Sequence, residues 1–166
     1  MGWEIERRFL VRVSDAFWAS AGAGSQLKQG YIRNGTPSVR IRVGEARGPV
    51  LTCKSGSGIK RREVETVVPL EMATVLLEAA EDRIIAKTRY RVGPWEVDRF
   101  VNDLQGLELM EIELATVDEE IPEPPAGVHV LQEVTDSNSF VNGRLARLTP
   151  KEQRTLVSQA YSGFTP

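Results

Sequence analysis

The chain has 166 residues, 41% hydrophobic and 27% charged, with Lys+Arg 21 against Asp+Glu 23 and a net charge of -2. Those totals fit a single domain over 1–166 with a real core. They exclude the basic excess of a general nucleic-acid binder. One cysteine excludes an internal disulfide, and one histidine excludes a His-rich metal site. No apolar run reaches the roughly 18 residues of a membrane span, and the N-terminus lacks a signal-peptide pattern. The expectation is a cytoplasmic protein without a membrane partner, as a monomer or homodimer.

In chain order, period-two alternation dominates. It predicts strands over 3–12, 27–34, 38–45, 49–55, 61–68, 84–92, 95–101 and 107–115, with a further one over 128–134. Ser14 or Asp15 caps a short helix over 15–21. Turns fall at N-G-T-P (34–37), A-R-G-P (46–49), S-G-S-G (55–58) and G-P (93–94). Pro69 stands at or near the first position of a helix running to about Glu81. The Pro-rich 121–127 is a linker within the fold. Arg144 to Leu148 forms a turn or two of helix, and the tail after Thr149 forms another helix with Pro150 early in it. Cys53 reads as a small buried hydrophobe, and His129 as a loop or surface residue. Many strands with few helices imply a mainly β, α+β fold: a closed antiparallel barrel or a sandwich.

The polar faces carry more information than the strand count. One face of the first strand holds Glu4, Glu6 and Arg8, against Ile5, Phe9 and the stem of Arg7. Later strands carry Ser38, Arg40 and Arg42; Thr52 and Lys54; Arg61, Glu63 and Glu65; Lys87, Arg89 and Arg91; Glu96 and Asp98; Glu111 and Glu113. For one strand alone, a solvated exterior over an apolar barrel core is the simpler reading. Across the set, carboxylates recur as E-x-E or E-x-D units and cations as R-x-R and K-x-R units. That pattern favours an inverted barrel of about eight strands, with charges lining a tunnel and helices covering the apolar exterior. Interleaved acids and bases offset the cost of enclosing charge.

Such a lining suits a polyanion. Arg and Lys on neighbouring strands can hold triphosphate oxygens, Arg in bidentate fashion. Paired carboxylates are hard oxygen ligands for Mg²⁺ or Mn²⁺. Attack on a terminal phosphorus then needs mainly positioning and charge neutralisation. No Walker A spacing is present, and S-G-S-G-I-K (55–60) reads as a turn.

E-I-E-R-R-F-L-V resembles the E-x-E-x-K signature of the CYTH superfamily, the triphosphate tunnel metalloenzymes. The resemblance continues in order through L-K-Q-G-Y-I, V-R-I-R, L-T-C-K-S, R-R-E-V-E, A-K-T-R-Y, W-E-V-D-R-F, L-M-E-I-E-L and Q-E-V-T-D-S-N-S-F-V-N-G-R-L-A. It implies a closed eight-stranded tunnel and divalent-metal-dependent cleavage of a small triphosphate, tripolyphosphate or a nucleoside triphosphate. Carried onto this chain, Glu4, Glu6 and Glu113 would hold the catalytic metal, with Glu111 assisting or holding a second ion. Arg8, Arg40, Arg42, Lys54, Arg61, Lys87 and Arg89 would grip phosphates. Glu63, Glu65 and Asp98 would order the wall beside Arg61, one carboxylate orienting the attacking water. They join Glu4, Glu6 and Arg8 as the expected catalytic set. The alternation phase of Tyr31 relative to Lys28 is left open. Two departures stand out. Arg8 replaces the usual Lys, and Asn138 and Ser139 precede Phe140 where relatives often carry a basic residue. An adenylate cyclase, or a tunnel that binds polyphosphate or nucleotides without turnover, are the alternative activities.

Overall fold

The structure, a computed structural model, describes residues 2–56 and 58–164. The strands are β1 (Gly2–Val13), β2 (Ser25–Arg33), β3 (Ser38–Val43), β4 (Val50–Ser55), β5 (Lys60–Val67), β6 (Ile84–Val92), β7 (Trp95–Phe100), β8 (Glu108–Glu113) and β9 (Val128–Glu133). The helices are α1 (Asp15–Ser20), α2 (Leu70–Ala79), α3 (Asn142–Leu145) and α4 (Pro150–Tyr161). Of the turn expected at 55–58, residue 57 lies outside the described residues.

The sheet runs β5-β4-β3-β2-β6-β7-β8-β1, and β1 pairs back onto β5, which closes an eight-stranded antiparallel barrel. Closure leaves no edge along those eight strands where they pair. The first half of β1 pairs with β5, from Gly2↔Glu63 to Ile5↔Lys60. Past that point β5 diverges and β9 takes its place, from Phe9↔Glu133 to Val13↔Val128. The ninth strand is therefore an annex to β1.

Local chemistry sets the helices. Ser14, rather than Asp15, caps α1 by accepting from the Phe17 amide at 3.3 Å. Pro69 is the N-cap of α2, one residue before its first turn, and the helix ends at Ala79. Thr149 and Glu152 form a reciprocal capping box at α4, with Pro150 in the first turn. The helix expected at Arg144–Leu148 begins two residues earlier, at Asn142. The face of α2 bearing Ala73, Leu76 and Leu77 packs on Ile41, Val68 and Leu51. Gly30 permits that approach: a Cβ there would lie 2.9 Å from the Ala80 Cβ.

Two further apolar bodies frame the barrel. Outside it, Phe9, Val11, Trp95, Val97, Met110 and Ile112 are covered by Phe17 of α1 and by Leu114 and Val128. The Pro-rich segment closes this jacket, since Trp95 Nε1 donates to the Glu123 carbonyl at 3.1 Å. Inside, the charged rows do not run the full length. Leu10, Tyr31, Ile85, Phe100 and Leu109 continue the inward phase of their strands, and they cluster with Leu145, Ala146 and Tyr161. Each fully buried Leu or Phe there contributes about 1.5–3 kcal/mol. α4 lies against this end, with the Tyr161 hydroxyl accepting from the Glu108 amide at 2.9 Å and donating to the Val11 carbonyl at 3.1 Å. The barrel is thus polar at one level and packed at the next.

Cys53 corrects the sequence expectation: it is exposed, not buried. It faces outward as predicted, between Val39 and Val64. The covering helix, however, packs over Ile41, Leu51 and Val43. His129 lies exposed on β9. Among the described residues no helix is long and apolar enough to cross a membrane.

Candidate active site

The inward faces enclose a cavity of about 970 Å³. Its wall brings together Glu4, Glu6 and Arg8 of β1, Arg40 and Arg42 of β3, Lys54 of β4, and Arg61, Glu63 and Glu65 of β5. Arg89 of β6 and Glu111 and Glu113 of β8 complete it. Alternation places them there, because every second side chain of a barrel strand points inward. Tyr31 shares this face and is buried, whereas Lys28 is exposed, which settles the phase of β2.

Lys87 and Asp98 are not brought to the cavity. They occupy the right face one level deeper, at 2% and 0% exposure. Lys87 Nζ donates to Asp98 Oδ2 and stands 5.3 Å from the Phe100 ring centre. Asp98 also accepts from Arg89 Nε and Nη2, each at 2.6 Å. Burial and the adjacent Arg89 pull the Lys87 ammonium below its ordinary value. Burial pushes Asp98 up, but Arg89 and Lys87 outweigh it and hold the carboxyl low.

The remaining charges pair across strands. Lys54 Nζ lies 2.6 Å from Glu4 and 2.5 Å from Glu63. Arg61 reaches Glu4 at 3.2 Å and Glu6 at 3.4 Å. Arg8 donates to Glu111 Oε1 at 2.6 Å and to Glu6 Oε1 at 2.5 Å, and Arg89 donates to Glu111 Oε2 at 3.0 Å. Burial pushes Glu111 up, yet Arg8, Lys87 and Arg89 together hold it well below the usual carboxylate range.

Two places in this network are out of balance. On the cationic side, burial and the neighbouring Arg40 pull Arg42 down. The buried Nε groups of Arg40 and Arg61 have no acceptor among the described residues. On the acidic side, Glu113 stands directly opposite Glu6 in the β1–β8 register, an arrangement that costs stability without a cation. The Glu113 carboxylate makes no hydrogen bond or ion pair among the described residues. Burial, and then Glu4, Glu63 and Glu6, push its carboxyl up.

Glu4, Glu6 and Glu113 are hard oxygen donors on adjacent strands with surplus negative charge, the donor chemistry a divalent ion of the Mg²⁺ type needs. As placed, no three acidic side chains converge on one point among the described residues. Glu4 and Glu6 are turned toward Lys54, Arg61 and Arg8.

Arg91 and Glu96, named from sequence on the charged faces of their strands, line the cavity as well. Two further lining groups were not singled out from sequence. Glu45 and Arg47 lie in the β3–β4 loop, where no periodicity applies. Glu45 pairs with Arg91 at 3.0 Å and Arg42 at 3.4 Å, and Arg47 pairs with Glu65. Asn138, Ser139, Asn142, Arg144 and Arg147 line the same cavity from the segment after β9.

A closed barrel with guanidinium and carboxylate rows around a polar cavity defines a tunnel-barrel protein whose lining suits a small, highly charged ligand. No protein-family model matches the chain. It is 34% identical over 153 residues to an inorganic triphosphatase of Acetivibrio thermocellus, covering 89% of this chain and 95% of that protein. It is 32% identical over 156 residues to an inorganic triphosphatase of Nitrosomonas europaea, covering 89% and 99%. The crystal structure of the inorganic triphosphatase NE1496 superposes with a TM-score of 0.58 at 29% identity, over 90% of this chain and 98% of that one. The chain belongs to the inorganic triphosphatase family, within the CYTH superfamily of triphosphate tunnel proteins.

Proposed function

We propose that the protein hydrolyses the terminal phosphoanhydride of inorganic tripolyphosphate, releasing phosphate and pyrophosphate, with Mg²⁺ or Mn²⁺ as cofactor. One observation carries this reading: the cavity wall gathers the cationic side chains of Arg40, Arg42, Lys54 and Arg89 from β3, β4 and β6. A polyanion supplies the oxygen acceptors that such donors take. The family relationship points the same way.

In this reading Arg40, Arg42, Lys54 and Arg89 take the phosphate oxygens, each charged hydrogen bond worth about 1.5–3 kcal/mol. Their resting partners Glu65, Glu45, Glu63 and Glu4 are released as the substrate enters. Glu4, Glu6 and Glu113 would hold the divalent ion, which when bound polarises a phosphoryl oxygen and lowers the pKa of a bound water. Glu63 or Glu65, both lining the cavity, orients the attacking water. Asp98 and Lys87 act from below, fixing the Arg89 guanidinium. Tyr31 is the only aromatic side chain among the described lining residues, and it packs beneath α3, where a Cβ on Gly143 would lie 3.2 Å from its ring. The relatives named inorganic triphosphatase support the inorganic substrate over nucleoside triphosphates and over cyclisation of ATP.

The test is product analysis with tripolyphosphate, ATP and thiamine triphosphate, each with Mg²⁺, Mn²⁺ or a chelator. The expected result is metal-dependent release of one phosphate per tripolyphosphate in the first turnover, faster than from the organic substrates. No turnover of any of them with Mn²⁺ present would overturn the reading.

A further inference from the structure

Arg8 stands where the family signature carries Lys, and its guanidinium reaches two carboxylates from two separate nitrogens. The residue is 5% exposed. Its Nε donates to Glu111 Oε1 at 2.6 Å while its Nη2 donates to Glu6 Oε1 at 2.5 Å. The planar fork thus spans the carboxylate row of β1 and that of β8 at once. A Lys would present one point charge on a flexible stem. The second oxygen of Glu111 accepts from Arg89 Nη2 at 3.0 Å, so two guanidiniums neutralise that carboxylate. Glu6 differs: its hydrogen bonds run to Oε1, from Arg8 and Arg61. Its Oε2 remains uncommitted among the described residues, on the strand facing Glu113.

We infer that Arg8 is a built-in replacement for a second divalent cation. The cavity then takes one divalent ion, at Glu4, Glu6 Oε2 and Glu113, while the space between Glu6 and Glu111 is filled permanently by the Arg8 guanidinium. Glu111 is a positioning residue for Arg8 and Arg89 and does not ligate metal. A second divalent ion in that space would sit against a fixed positive charge in a site shielded from water, where like charges repel most strongly. This inference rests on the metal-dependent reading above and specifies its stoichiometry and ligand set.

The test is Mn²⁺ titration of the chelator-stripped full chain, followed by the electron paramagnetic resonance of free Mn²⁺, with no substrate present. Wild type is expected to bind one Mn²⁺ per chain. Arg8→Met, which removes the fork and keeps the volume, is expected to bind two. Glu111→Gln is expected to keep one ion, with its Kd changed by less than tenfold. This variant decides the matter should Arg8→Met fail to fold by circular dichroism. Two ions on wild type, one ion on a folded Arg8→Met, or a tenfold or greater weakening in Glu111→Gln would overturn the inference and leave the hydrolase reading standing. No Mn²⁺ bound to wild type at millimolar concentration would overturn both.

Discussion

Asp98→Asn isolates the charge cluster that supports the cavity from beneath. Asparagine keeps the shape of aspartate but removes the charge that two cations share. Arg89 retains Glu111 at 3.0 Å and Glu96. Lys87 has Asp98 as its only ion-pair partner among the described residues and is 2% exposed. Breaking a buried pair in this way costs about 3–5 kcal/mol. Loss of the Lys87 proton sets a ceiling: neutralising at pH 7 a group whose ordinary value is 10.5 costs about 5 kcal/mol at 1.36 kcal/mol per pH unit. With a urea m-value of about 2 kcal/mol/M, the unfolding midpoint should fall by about 2 M. Adding Lys87→Met removes the stranded charge, and the double variant should recover at least about 2 kcal/mol of that loss, a coupling that a double-mutant cycle reads directly. A midpoint shift below about 0.5 M for Asp98→Asn, or no recovery in the double variant, would refute the argument that Lys87 is a buried counter-ion.

Arg40→Ala should lower kcat/KM for tripolyphosphate by about 10- to 100-fold, the loss of one charge-assisted phosphate contact, in steady-state phosphate-release kinetics. Acid should destabilise the fold. Burial pushes Glu45, Glu65, Asp98 and Glu111 up, but their cationic partners outweigh it and hold all four below their ordinary values. The stability they contribute is therefore present above their unfolded values and lost as pH falls through the folded ones. Burial of Glu108 and Glu113 raises those two and has the opposite sign. The net expectation is a urea midpoint that declines as pH is lowered from about 5 to 3, with Glu65→Gln flattening part of the decline. Cys53, exposed on β4, should react fully with a thiol reagent in the folded protein, without denaturant.

The alternation of β1, β3, β5 and β8 was enough to place Glu4, Arg40, Glu63 and Glu111 on one inner surface, because period two fixes which face a side chain occupies. It does not fix how far along the barrel axis that side chain lies. Lys87 and Asp98 share the phase of Arg89 and Glu96 but sit one level down, where Phe100 and Ile85 have closed the bore. Cys53 illustrates the complementary gap. Its outward direction was legible, but the cover above it depends on where α2 lands, and that is decided by distant residues such as Gly30 and Ala80. Glu45, Arg47 and Asn142 lie in a loop or a single helical turn. Their approach to the cavity follows from the closed barrel and has no signature in the local sequence.

The central claim is that the inner face of the barrel receives the triphosphate, and a crystal structure of the protein with bound tripolyphosphate tests it most directly. The account predicts phosphate oxygens within about 3 Å of the Arg40, Arg42, Lys54 and Arg89 side chains, inside the cavity. Density for the anion only on the outer surface, with those four side chains still paired to their carboxylates, would contradict it.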